Sequence, residues 1–163
     1  MPKIVFGKFP IETLNELDVF SRSPKEKPKR IIFNGLKLKT NSWRYQNILS
    51  NGETCVSCGS KAEYLKLEVY VSKRQYKLFL QDKFSIDNLP PAHFNIYGVI
   101  KGKETLFTKD HIWPASLGGR DCLENFQTMC CSCNFHKKNN QPFDIGEAIK
   151  RGLVKSRYCL GKE

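Results

Sequence analysis

The chain has 163 residues, 40% of them hydrophobic and 12% aromatic, which suits a folded domain with a real core and argues against disorder. Its formal charge of +11 and isoelectric point near 9.4 point to a polyanionic partner. No apolar run approaches the roughly 20 residues that span a bilayer, and residues 1–20 lack a continuous apolar signal region, so neither a membrane partner nor secretion is expected. Seven cysteines, an odd number arranged around two Cys-x-x-Cys pairs, fit a reducing cytoplasm and a metal site better than a disulfide framework.

In chain order, a short apolar run (MPKIVFGKF) is followed by an acidic amphipathic piece (PIETLNELDVF). SRSPKEKPKR then reads as a basic linker, because two prolines among lysines and arginines resist both helix and sheet. RIIFNGLKLKT predicts a β-hairpin around Asn34-Gly35. TNSWRYQNILSNG predicts a helix capped by Thr40 or Asn41 and stopped by Gly52, with Trp43 toward the core and Arg44 outward. Beyond Cys55 and Cys58, YLKLEVYV and YKLFL predict two strands joined around Ser72 to Gln75.

After a break at Asn88 to Pro91, HFNIYGVIKGKETLFTKDH predicts a hairpin with its turn at Lys101 to Glu104, the second strand delivering Asp110 and His111. His93 has no ligand partner at a telling spacing and reads as an incidental strand-end histidine. Pro114 and Gly118-Gly119 predict a loop, and Leu123, Phe126 and Met129 are expected to pack it. A helix follows Cys133, and Asp144 is expected to cap a last short helix that ends at Gly152, before a basic tail.

Chemistry concentrates between Lys109 and Lys137. Adjacent Asp110 and His111 on a strand point to opposite faces, so one can hold a metal while the other faces a water molecule. Cys55, Cys58, Cys130 and Cys133 have the paired spacing of a closed, tetrahedral structural zinc site; Cys122, Cys131 and Cys159 stand outside it and read as buried or spare thiols. Residues 110–134 form the only net acidic segment, three carboxylates against one arginine, set between basic flanks. That is the distribution expected of a cation site whose surroundings grip phosphates.

DHIWPASLGG, then LENFQTMCCSCN, then Lys137 resembles the HNH, or ββα-metal, endonuclease family, and is most similar to its zinc-bearing phage-type branch. The resemblance spans roughly residues 50 to 140. It implies an α+β fold, a ββα-metal (His-Me finger) nuclease core stapled by a four-cysteine zinc site, with extra β-hairpins. The expected organisation is an extension over 1–40 with the basic linker and hairpin, a nuclease domain over 41–140 with an inserted β segment at 60–100, and a short helix and basic tail over 141–163. The resemblance also implies DNA as partner, a cytoplasmic place in a phage or bacterial host cell, and hydrolysis of phosphodiester bonds. His111 would be the general base, Asn125 would steady the loop and orient that base, and Asp110 and Asn134 would hold a catalytic Mg²⁺ or Mn²⁺. Asn134 stands where many relatives have histidine, a substitution that favours a hard, oxygen-coordinated ion. Lys137, Lys138 and Arg120 are the expected nucleic-acid contacts. The rival class is a non-catalytic zinc module that binds nucleic acid through its basic flanks; a thiol redox protein fits less well, since no thioredoxin-like βαβ pattern surrounds either cysteine pair.

Overall fold

The computed structural model describes residues 1–20 and 30–155; the expected basic linker and most of the expected tail, with Cys159, lie outside the described residues. The described residues form an α+β fold around a five-stranded antiparallel sheet. Its strands are β1 (Lys3–Phe9), β4 (Tyr64–Tyr70), β5 (His93–Ile100), β6 (Lys103–His111) and β7 (Phe126–Cys130), and they pair in the order β1-β4-β5-β6-β7. The expected hairpin around Asn34-Gly35 forms a separate pair, β2 (Arg30–Phe33) and β3 (Leu36–Lys39). The α-helices among the described residues are α1 (Trp43–Asn51), α2 (Lys73–Leu80), α3 (Cys131–Lys137) and α4 (Ile145–Lys150). Among these residues no helix is long and apolar enough to cross a membrane.

Strand alternation sorts the sheet into two faces. Ile4, Leu65, Leu67, Val69, Phe94, Ile96 and Phe107 belong to the main core, with Leu36 and Leu38 from the hairpin, Tyr45 and Ile48 from α1, and Ile11, Leu14 and Leu17 from a 3₁₀ turn after β1. Phe94 is fully buried and meets Phe9 and Phe33 edge-on, with ring centroids 5.4 and 5.3 Å away. Its backbone N–H donates to the Tyr45 hydroxyl at 2.8 Å. On the opposite face Glu68, also fully buried, accepts from Lys3 at 2.7 Å, from the Tyr97 hydroxyl at 3.1 Å and from Asn95. These bonds satisfy a carboxylate that would otherwise be costly to bury.

Two local expectations change. Ser72 and Gln75 do not join two strands: Gln75 N donates to Ser72 Oγ at 3.2 Å and Ser72 N to Gln75 Oε1 at 3.0 Å, a capping box that starts α2. The partial alternation of YKLFL is overridden by Tyr76 and Phe79, three apart on one helix face, whose rings stack at 6.4 Å. At α1 the cap is Ser42, whose side chain accepts from Arg44 N, and not Thr40 or Asn41; both of those are buried, Thr40 completely. The segments around the expected nuclease domain also join its framework. β1 pairs with β4, and β4 and β5, within the 60–100 segment, are inner strands of the sheet that ends in Asp110 and His111.

The core reading gives a direct check. Phe94→Ala should cost about 3–5 kcal/mol, the usual range for emptying a buried aromatic site, measured by denaturant unfolding; a loss below about 1 kcal/mol would mean the three-ring cluster is not where the core is anchored.

Candidate active site

β6 and β7 pair so that Asp110 faces Gln127 and His111 faces Phe126. The face that carries Phe107 into the core also carries Lys109, His111, Phe126 and Thr128; the other carries Thr108, Asp110, Gln127 and Met129. The chain leaves β7 at Cys130 and turns at once into α3, which runs back along β6. There Asn134 Nδ2 donates to Thr108 Oγ1 at 2.9 Å, and Lys137 Nζ lies 2.8 Å from Asp110 Oδ2 and 2.7 Å from the His111 carbonyl oxygen. Asp110 Oδ2 also accepts from Gln127 at 2.8 Å. The bonds made by Asn134 and Asp110 leave one oxygen of each, the Asn134 amide oxygen and Asp110 Oδ1, free of any hydrogen bond among the described residues. Thr108 and Asp110 are neighbours on one face, so Asn134 and Asp110 lie on the same side of this end of the sheet.

His111 lies on the other face, edge-on to Phe126 with ring centroids 4.9 Å apart. Its Nε2 sits 2.9 Å from Asp121 Oδ1. The hydrogen bond from His111 holds the Asp121 carboxyl below its usual range. An ionised carboxylate only accepts, so in the neutral ring the proton belongs on Nε2 and the lone pair on Nδ1. Lys109 lies over the Phe126 ring, 3.9 Å from its centroid. Burial lowers its ammonium below the usual lysine range, against the opposing pull of Asp121 and Asp110.

The loop between the two strands is held by Asn125, which is fully buried. Its Oδ1 accepts from Trp113 N at 2.8 Å, and its Nδ2 donates to Trp113 O at 3.1 Å and Arg120 O at 2.9 Å. Gly118 takes φ 87° at the turn. Gly119 is required for space: a Cβ there would lie 2.2 Å from the Trp113 carbonyl oxygen. The underside of the loop packs on α4 in a second small core of Trp113, Ala148, Leu153 and Val154. Arg120 N donates to Leu153 O at 2.8 Å, and the Arg120 side chain donates to Gly152 O. Asp144 caps α4 as expected, accepting from Glu147 N.

The four cysteines of the two pairs converge. Their sulfurs all lie within 4.8 Å of one another and could hold one metal ion, and Cys58 and Cys130 Sγ are 3.9 Å apart. Tetrahedral ligation at about 2.3 Å per bond requires sulfurs about 3.8 Å apart, so a small contraction completes the site. The first pair is seated by Gly59 N on Cys55 O at 2.9 Å and by Val56 N on Thr128 O at 3.0 Å, which fastens the knuckle to β7. Hydrogen bonds from Ser60 bring the Cys58 thiol down to about 6, whereas burial pushes Cys130 up to about 12. Cys122 and Cys131 lie outside the cluster.

Asp110, His111, Asn134 and Lys137 lie together where β6 ends, and Asn125 lies in the loop that follows. Arg120 is tied to Gly152, and Lys138 is exposed at the end of α3. The sequence reading missed Asp121, Gln127 and Thr108. A carboxylate two residues after a Gly-Gly turn that must fold back on its own strand is the one signal that could have found Asp121; the other two follow only from register.

Residues 100–148 match the sequence model of the HNH endonuclease family. The match runs from the end of β5 into α4 and does not include Cys55 or Cys58. No curated protein and no solved structure matches the chain.

The Asn125 clamp makes a test of this geometry. Asn125→Ala strands one amide and two carbonyls at a cost of at least about 2 kcal/mol, since a lost partner leaves buried polar groups unpaired. Asn125→Asp keeps the acceptor and loses both donated bonds, so chemical unfolding should show it destabilised too. An aspartate variant as stable as the parent would remove the clamp from the account.

Proposed function

From a chain that carries an HNH endonuclease segment, we propose a metal-dependent endonuclease that hydrolyses phosphodiester bonds of DNA, with a structural zinc held by Cys55, Cys58, Cys130 and Cys133. The observation that supports it most directly is the placement of a histidine with a fixed proton on one side of a strand end and two unbonded hard oxygens on the other. A zinc-binding module without catalysis has no use for that pairing.

In this reading Asp121 holds the His111 ring with Nδ1 available, and that nitrogen takes the proton from the attacking water. Asn125 fixes the loop on which Asp121 rides, so the base keeps its aim. Asp110 and Asn134 offer oxygen ligands to a divalent cation, and the chemistry of the pair suits Mg²⁺ or Mn²⁺. When bound, that cation supplies Lewis-acid stabilisation of the charge that develops on the scissile phosphate. Lys137 compensates the Asp110 carboxylate and stands close enough to the same end of the sheet to meet a phosphate oxygen. Four thiolates with no open position mark the other metal as structural.

Two measurements test the reading. Purified protein incubated with supercoiled plasmid and Mg²⁺ or Mn²⁺ should nick or cut it, EDTA should stop the reaction, and His111→Ala should slow it by about 10² to 10⁴-fold while keeping the fold. Asp121→Asn should lose part of that factor, and Asn134→Ala should raise the metal concentration needed. Plasmid cut equally well by His111→Ala would place the base elsewhere. Separately, metal analysis should find about one zinc per chain, lost in Cys58→Ser and kept in Cys131→Ser; a zinc-free chain with unchanged cooperative melting would sink the staple.

A further inference from the structure

A second polar site lies beside the first, at the same end of the sheet. Ser42, Arg44, Tyr45, Tyr70, His93, Phe94 and Asn95 line a hollow of about 220 Å³. His93 opens β5 next to β6, and β5 and β6 are antiparallel, so the start of β5 and the Asp110–His111 end of β6 lie together. α1 begins in this hollow, and the N-terminal end of a helix favours a negative charge.

The charges there have one sign. Arg44 donates to the amide oxygen of Asn95, whose own NH₂ is committed to Glu68 and the Tyr70 hydroxyl. Glu68, the carboxylate behind this relay, is already engaged by Lys3 and Tyr97. Asn95 therefore fixes the guanidinium without neutralising it. Lys39 is brought alongside by the pairing of β3 with the start of β5, where Lys39 N donates to Ala92 O. Among the described residues neither Arg44, Lys39 nor His93 has an ion pair. Burial, then the charges of Lys39 and Arg44, hold the His93 imidazole below its usual range. Arg44 also adds to the lowering of Lys109, which links this hollow to the face that carries His111.

We propose that Arg44, with Lys39, His93 and the start of α1, forms a subsite for a backbone phosphate of nucleic acid, flanking the phosphate that is cut. The inference rests on the nuclease reading for what lies next door, but not for the subsite's own chemistry. A planar guanidinium held by a neutral amide keeps donors for a phosphate oxygen, and a hollow this small admits a phosphodiester and not a base pair. His93, an incidental strand-end residue by sequence, would act here as a neutral donor or acceptor and not as a base.

The test measures binding in EDTA, so that no cleavage is needed to read it. Kd for a fluorescent DNA duplex is measured across a salt series for the wild type, Arg44→Gln, Lys39→Gln and Lys103→Gln, the last at the far end of β6. Zinc content and melting are checked for each. Arg44→Gln and Lys39→Gln should each weaken binding at least about 3-fold and lower the slope of log Kd against log salt by about one, while Lys103→Gln should do neither. Lys39→Gln keeps the test valid if the loss of Arg44 upsets the Asn95 and Glu68 network. Unchanged Kd and slope in Lys39→Gln and in a folded Arg44→Gln, an equal effect of Lys103→Gln, or no binding by the wild type would each overturn the subsite. Binding affected as expected, without plasmid cleavage by any protein, would leave the subsite standing and remove the nuclease reading alone.

Discussion

The pairing of β6 with β7 is the constraint on which the rest depends. β7 is five residues long and has three tasks: Phe126 must lie against His111, Gln127 against Asp110, and Cys130 must reach the first cysteine pair. A slip of one residue exchanges every side chain between faces and would turn Phe126 away from the histidine while aiming Gln127 at it. Short strands are poorly specified by their own hydrogen bonds, so the register has to be fixed from outside. Asn125 fixes it at one end by clamping the preceding loop, and the sulfur cluster fixes it at the other. α3, only seven residues long, then has no freedom in where it returns Asn134 and Lys137.

Much of this was legible because motif residues carry local geometry with them. Asp110 and His111 end a strand that follows a hairpin turn, where Lys101 and Gly102 take φ 50° and 74°. Asp144 and Gly152 mark the limits of α4 through ordinary capping chemistry. What escaped the sequence was tertiary. YKLFL alternates like a strand over a few residues, and only the Ser72–Gln75 capping box ahead of it marks it as a helix. Glu68 and Asn95 look like solvent-facing strand residues, yet both are buried by a network that brings together β1, β4, β5 and α1. Nothing local to Arg44 shows that its guanidinium is held by an asparagine from a distant strand.

The charge pattern acquires a structural reading. The acidic segment 110–134 is not a patch, because Asp110 and Asp121 are each met by a separate partner. Asp110 is met by Lys137 and Gln127, and Asp121 by His111. The basic residues divide similarly. Lys3 and Lys66 are paired with Glu68 and Glu104 and stabilise the far side of the sheet, so they contribute little uncompensated field. Arg44, Lys39 and Lys109, at the end of the sheet that carries the histidine, have no ion pair among the described residues, so a polyanion there meets uncompensated charge. Net charge alone gives no such address.

The two cysteine pairs are far apart in sequence. Between Cys58 and Cys130 lie β4, α2, β5 and β6, so the sulfur cluster ties together the two ends of a long segment that includes the inner sheet. Closing so long a loop costs chain entropy, although that cost grows slowly with length. A metal bound there stabilises the folded chain and has little to hold in the unfolded one. The same event fixes the start of α3, which positions Asn134. In the proposed enzyme, then, the structural ion and the catalytic site are coupled through seven helical residues: a chain that has not completed its sulfur site has not placed its second oxygen ligand either.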